Sequence, residues 1–310
     1  MAIKEYGREY FWGTCRRLLE KIVPITSSLY KLFYLNAYKL QSRSRNKRKE
    51  KFSFQVHIVD SCNLNCVGCS TFAPLCKNSF IDINSFERDI KQITALGQVE
   101  KMLLIGGEPL LHPNIIDIIE ISRRYIKTSE LLIATNGILL IEQNPKFWES
   151  CKTNNVKITI TPYPINLNYE RINKIAKEYS VDLTFFYIGD KISFVKIPLN
   201  IEGKGNIGET FKKCSSSHCV TLREGKIYTC YRPSLIDFFN DYFGQNFKVS
   251  EKDYVDIFAA KDKDEILDFM CNPTPFCRYC DVDSMKFGIK WGISKKEIGE
   301  WIKNFTVSVK

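Results

Sequence analysis

The order of segments predicts an α/β fold: a partial (β/α)6, TIM-like barrel with a basic helical N-terminal extension and a small cysteine-rich C-terminal α+β module. Three observations lead there. Short apolar runs alternate with longer stretches of helical periodicity between Phe52 and about Asn200. Lys and Arg crowd into the first 51 residues, and six of the twelve cysteines fall between Cys214 and Cys280. These textures divide the chain into residues 1–51, 52–202 and 203–310.

The first segment reads as helical, with Tyr30, Tyr34 and Tyr38 at four-residue spacing beside Leu29, Leu32, Phe33 and Leu40. Its thirteen Lys/Arg against four Asp/Glu account for nearly all of the formal charge of +10. The rest of the chain is close to neutral, which excludes a globally basic nucleic-acid surface. Such a helix either packs its apolar face on the body or makes weak contact with an anionic membrane surface. It does not span one, because Pro24, Lys31 and Lys39 interrupt the best apolar stretch, short of the roughly 18 residues required. Met1 to Tyr10 carries charges of both signs and is no secretory signal. A cytoplasmic protein is expected, in which cysteines serve as metal ligands or reactive groups rather than disulfides.

In the middle segment, strands are expected at Phe54–Val59, Met102–Ile105, Leu131–Ala134, Val156–Thr161, Thr184–Ile188 and Phe194–Leu199. Between them, Ile83–Leu96, Ile115–Tyr125, Pro145–Thr153 and Tyr169–Tyr179 have helical spacing. Strand followed by helix, repeated, implies parallel strands joined by crossovers, with chemistry at their carboxyl ends.

Cys62, Cys66 and Cys69 form C-x3-C-x2-C directly after the first strand. Three thiolates in one loop can hold three corners of a cubane iron–sulfur cluster and leave one iron open, whereas a zinc site would want a fourth ligand nearby. His57 lies on the preceding strand and Cys76 seven residues on. Further along, Gly106-Gly107-Glu108-Pro109 ends the second strand, where glycines allow close backbone approach to a ligand and Glu108 offers a carboxylate to a cationic amine.

Together with Ala134-Thr135-Asn136-Gly137 at the third strand end, these motifs resemble the radical S-adenosylmethionine superfamily over about residues 52–200. The resemblance implies a 4Fe–4S cluster on Cys62, Cys66 and Cys69, whose free iron is chelated by S-adenosylmethionine and which on reduction cleaves it to a 5′-deoxyadenosyl radical. It implies Gly106, Gly107 and Glu108 at the methionyl amine, Thr135 and Asn136 near the ribose, and Thr161 at the next strand end. It also implies a reduced flavodoxin or ferredoxin as electron donor. Gly68 departs from the pattern, since many members carry an aromatic residue just before the third cysteine.

The later cysteines are Cys214, Cys219, Cys230, Cys271, Cys277 and Cys280. A hairpin turning at Glu224-Gly225 would draw Cys219 toward Cys230, with Cys277 and Cys280 as a two-thiolate claw. Spacing alone also describes a zinc ribbon. The order is similar to the SPASM and Twitch extensions of the same superfamily, and the shorter Twitch form implies a second 4Fe–4S cluster. Cys219, Cys230, Cys277 and Cys280 are its expected ligands, with Cys214 and Cys271 as alternates. Cys15, Cys76 and Cys151 read as ordinary thiols, with a hydrogen-atom donor as a second possibility for Cys76. No His or carboxylate constellation marks another catalytic site.

The expected function is therefore a radical enzyme of oxidoreductase or maturase type acting on a sugar or other small molecule, or on a peptide. The alternative is a non-catalytic iron–sulfur or zinc protein serving as electron carrier or scaffold.

Overall fold

The computed structural model describes residues 50–127, 129–186 and 193–302. The basic extension, except its last two residues, and Cys15 lie outside the described residues, so the expected helix and its membrane contact do as well.

The alternation predicted from the sequence is realised as β1 (Phe52–Val59), α1 (Ile83–Leu96), β2 (Val99–Gly106), α2 (Ile115–Tyr125), β3 (Glu130–Thr135), α3 (Pro145–Thr153), β4 (Val156–Ile160), α4 (Tyr169–Glu178) and β5 (Leu183–Phe185). Helix starts follow from side-chain caps. Asp82, Asn144 and Asn168 each accept a backbone N–H from the residue three ahead, and Pro145 sits at the first helical position of α3. Helix α1 buries Phe86, Ile90 and Ile93 on one face, each burial contributing about 1.5–3 kcal/mol. Strand β1 is buried along nearly its whole length because it is central and covered on both sides.

One eight-stranded sheet runs β5-β4-β3-β2-β1-β7-β8-β9, with β7 (Thr221–Arg223), β8 (Lys226–Tyr228) and β9 (Tyr254–Asp256). Six strands are parallel, as a (β/α)6 pattern requires, but the sixth is not the expected Phe194–Leu199. Strand there is confined to Ser193–Lys196 (β6), which pairs antiparallel with β10 (Lys286–Lys290) in a separate ribbon. The sixth parallel strand is β7, which pairs with the open edge of β1, where Gln55 N–H donates to Val220 O at 2.8 Å.

After residue 203 come α5 (Ile207–Lys213), the hairpin, α6 (Tyr231–Phe243) and α7 (Lys263–Met270). The hairpin turns at Glu224 and Gly225, both with positive φ (51° and 73°), which matches the twist of its strands. Gly225 N–H donates to the buried Asp89 carboxylate of α1 at 2.7 Å, pinning the hairpin tip to the core. A second core packs Phe72, from the cysteine loop, against Phe239 of α6 and Trp301, with ring centroids 5.5 and 6.5 Å from Phe72. Among the described residues, no helix is long and apolar enough to cross a membrane.

Candidate active site

The loop that leaves β1 carries Cys62, Cys66 and Cys69, and its first residues are tied to the end of β2. Gly107 N–H donates to Val59 O at 2.8 Å and Glu108 N–H to Ser61 O at 3.0 Å. A Cβ on Gly106 would lie 2.1 Å from Val59 O, and one on Gly107 the same distance from Ser61 O. Both glycines are thus required by the approach of the β1 end, which sets the position of the cysteine loop.

Glu108 is buried, 1% exposed. It accepts from Leu110 N–H at 3.1 Å, Thr135 Oγ1 at 2.7 Å and Asn136 N–H at 2.9 Å. Three of its roughly four acceptor positions are therefore used and one is open. Burial pushes its carboxyl up to about 7, opposed by those three bonds, and no described cation pairs with it. Asn136 extends the connection, its amide donating to Asn63 Oδ1 at 2.7 Å and reaching Cys62 Sγ at 3.7 Å. Thr161 follows β4, with its N–H on Thr135 O at 2.9 Å. The four sequence-predicted positions Glu108, Thr135, Asn136 and Cys62 are thus one hydrogen-bonded unit.

All eleven described cysteines are free thiols. Burial pushes Cys62 up to about 12 and Cys66 up to about 11, with the neighbouring thiols adding like-charge repulsion. Such groups ionise at neutral pH only if a positive centre compensates them, as a metal does. Beside Cys62, the Ser61 hydroxyl is buried with no hydrogen-bond partner. An uncompensated buried carboxylate, an orphan hydroxyl and a three-thiol loop together fit an iron–sulfur cluster with a cationic amine ligand.

Sequence reasoning missed four residues here. Tyr163 stacks on Phe194 at 5.8 Å, and burial plus the nearby Cys66, Cys69, Cys62 and Glu108 raise its hydroxyl pKa. Trp291 donates its indole N–H to Cys66 Sγ at 3.2 Å, and Trp301 donates to Cys69 O at 2.8 Å. Glu300 accepts from Gly68 N–H at 3.0 Å. Gly68 itself has φ of +59°, and a Cβ there would lie 2.9 Å from both Glu300 O and Lys196 Nζ. Glu300 and Lys196 therefore leave no room for a side chain at the position where the sequence departs from the family pattern; the one visible signal was that glycine.

The second cysteine group surrounds a cavity of about 20 Å³ lined by Cys214, Cys230, Cys277 and Cys280 together with Arg232. Burial pushes Cys214 up to about 12 and Cys277 up to about 11, and raises Cys230 well above its ordinary value. Arg232 donates to Cys280 Sγ at 3.5 Å and to Ile197 O at 2.7 Å. The structure brings the alternate Cys214 to this cavity. Cys219 instead packs against the aromatic core beside Tyr231, because the hairpin opens on Thr221–Tyr228 and α6 begins directly after Cys230. Cys271 caps α7 and does not line the cavity. No three His, Cys, Asp or Glu side chains among the described residues converge on a single-ion position.

Between the two groups lies a second cavity of about 70 Å³, whose lining includes Gly68, Ser70, Lys196, Ser216, Tyr231 and Arg232. The remaining candidates are structural. His57 is fully buried on β1 and held neutral, its pKa lowered to about 3 by burial, while His112 caps a loop through Ile81 O and Asn114 N–H. Cys76 donates to Phe72 O, and Cys151 is buried in the core.

Comparison with known proteins shows what this part of the chain is similar to. The chain is 28% identical over 122 residues to the GTP 3′,8-cyclase of Alkaliphilus oremlandii, covering 38% of this chain and 35% of that protein. It is 33% identical over 88 residues to the probable GTP 3′,8-cyclase of Thermoplasma volcanium, covering 28% and 26%. The chain thus spans about a third or less of the length of these curated relatives. Among solved structures, BtrN in complex with AdoMet and 2-DOIA superposes over 76% of this chain and 94% of that one, at 13% identity and a TM-score of 0.45. Residues 56–183 match the sequence model of the Radical SAM superfamily. That stretch runs from within β1 to the start of β5 and holds the three-cysteine loop, Glu108 and Asn136, so the likeness to that superfamily falls on the site itself.

Proposed function

We propose that the protein is a radical S-adenosylmethionine enzyme that oxidises a polar small molecule, with an auxiliary cluster as electron acceptor. The observation that carries this is the pair of cysteine sites with different ligand counts, three thiols on the β1 loop and four around the second cavity. Three thiols leave an iron open for chemistry, whereas four close a cluster and suit it to electron transfer.

Cys62, Cys66 and Cys69 would hold the first 4Fe–4S cluster, which with bound S-adenosylmethionine supplies a 5′-deoxyadenosyl radical for hydrogen-atom abstraction. Cys214, Cys230, Cys277 and Cys280 would hold the second, which supplies a one-electron acceptor. Glu108 offers its open acceptor position to the methionyl amine, and the cation restores the carboxylate that burial disfavours. Thr135 and Asn136 fix that carboxylate, and Asn136 orients the loop through Asn63. The second cavity, of about 70 Å³, sets hydroxyls and cations of Ser70, Ser216, Tyr231, Lys196 and Arg232 against apolar walls that include Phe72, Leu199 and Trp301. That lining suits a sugar or another polar metabolite better than an apolar side chain. A reduced flavodoxin or ferredoxin would supply the initiating electron.

The test is anaerobic reconstitution with iron and sulfide followed by reduction with S-adenosylmethionine. About eight irons per chain and 5′-deoxyadenosine formation abolished by Cys66→Ala are expected. Stoichiometric zinc with no nucleoside product refutes the reading.

A further inference from the structure

The C-terminal segment from Trp291 to Trp301 lies along the cysteine loop although more than 220 residues separate them in sequence. Val67 N–H donates to Gly292 O at 2.8 Å and Ser294 N–H to Asn65 O at 2.7 Å. The Asn65 amide returns a bond to Ser294 O at 3.1 Å, and Cys66 and Ile293 form an antiparallel bridge. At the far end the Glu300 carboxylate, 1% exposed, accepts from Gly68 N–H at 3.0 Å, Ser294 Oγ at 2.6 Å and Lys295 N–H at 2.6 Å. The loop is therefore clasped on both sides of Cys66, and the clasp fixes the indole of Trp291 with its N–H 3.2 Å from the Cys66 sulfur.

An indole nitrogen can only donate, so this bond has one direction. Its strength grows with negative charge on the sulfur, and hydrogen bonds to ligating sulfurs are among the factors that set a cluster's potential. A donor at this place stabilises the reduced form over the oxidised one. Resting on the cluster reading above, we propose that Trp291 is a positioning residue that raises the reduction potential of the first cluster through Cys66. Trp301 is the internal control, since its indole donates to the Cys69 carbonyl rather than to sulfur.

The experiment compares the full-length wild type, Trp291→Phe and Trp301→Phe, each carrying both reconstituted clusters, by redox titration followed by electron paramagnetic resonance. The first cluster's signal is identified by its change on adding S-adenosylmethionine. Phenylalanine keeps most of the ring and removes the donor. Expected is a roughly tenfold fall in the reduced-to-oxidised ratio for Trp291→Phe at fixed potential, equivalent to about 59 mV for a one-electron couple. Iron content stays equal and Trp301→Phe is unshifted. An unshifted Trp291→Phe with a normal wild-type cluster overturns the role of Trp291 alone. A wild type without a reducible first cluster overturns the cluster reading itself. Where Trp291→Phe fails to hold iron, the wild type labelled with 15N-tryptophan decides: a 15N coupling at the reduced cluster that survives Trp301→Phe supports the assignment, and no coupling overturns it.

Discussion

Removing the charge of Arg223 should destabilise the junction between the cysteine loop and the C-terminal module far more than a surface ion pair would. Arg223, on β7, meets Asp60 at the end of β1 in two parallel bonds of 2.7 and 3.1 Å. The side chains are only 18% and 6% exposed, and the guanidinium lies 5.6 Å from the centroid of Phe238. Arg223→Met keeps most of the volume but leaves the Asp60 carboxylate buried and unpaired, which costs about 3–5 kcal/mol. With an unfolding entropy of about 2.1 cal/mol/K per residue over the 310-residue chain, that corresponds to a Tm lowered by roughly 5–8 °C. Adding Asp60→Asn removes the stranded charge, so the double variant should regain most of the loss. Urea unfolding of all four proteins closes the cycle. If the two single effects add to within about 0.5 kcal/mol, the sites are independent and the reasoning fails.

Two further outcomes are expected. Cys214→Ala should drop reconstituted iron from about eight to about four per chain while Cys219→Ala keeps about eight; the reverse result, by iron assay, would return Cys219 to the ligand set. Glu108 has its pKa raised by burial to about 7, so between about pH 4.3, its ordinary value, and pH 7 the folded state binds more protons than the unfolded. Stability of the metal-free protein should therefore fall as pH rises through that window, by about 4 kcal/mol in all. Urea unfolding of wild type against Glu108→Gln measures this, and a difference that stays flat from pH 5 to 8 contradicts it.

Local chemistry made the helices readable. Ile83–Leu96, Ile115–Tyr125 and Pro145–Thr153 carry their own periodicity and, at Asp82 and Asn144, their own caps. The grouping of the first three cysteines with Glu108 and Thr135 was equally visible, because the thiols share one loop and the other two close the next two strands. What escaped depended on pairing across long separations. The run from Phe194 looks like another sheet strand, yet its partner is β10, and no local signal says so. Hairpin pairing favoured Cys219 over the alternate Cys214; the start of α6 at Tyr231 and the packing of Cys219 on the aromatic core are what separate them in the fold. Trp291, Glu300 and Tyr163 are single residues without a spacing pattern, so only the fold could place them beside the cysteines.

The two cysteine sites also differ in the donors aimed at their sulfurs, and that difference bears on the direction of electron flow. At Cys66 the side-chain donor is the neutral indole of Trp291, and a neutral hydrogen bond contributes about 0.5–1.5 kcal/mol. At Cys280 the donor is the guanidinium of Arg232, 7% exposed and surrounded by the other three cysteines of its cavity. A bond to a charged group contributes about 1.5–3 kcal/mol, and a fixed positive charge favours the more negative, reduced state of whatever the sulfurs hold. Four thiolates in place of three pull the other way, making reduction harder at the second site, and Arg232 is the group placed to offset them. On the function proposed, that charge keeps the auxiliary cluster able to accept an electron from the substrate radical. On the same reading, neutralising Arg232 would weaken the oxidising half of the reaction, while the cleavage of S-adenosylmethionine proposed for Cys62, Cys66, Cys69 and Glu108 continued.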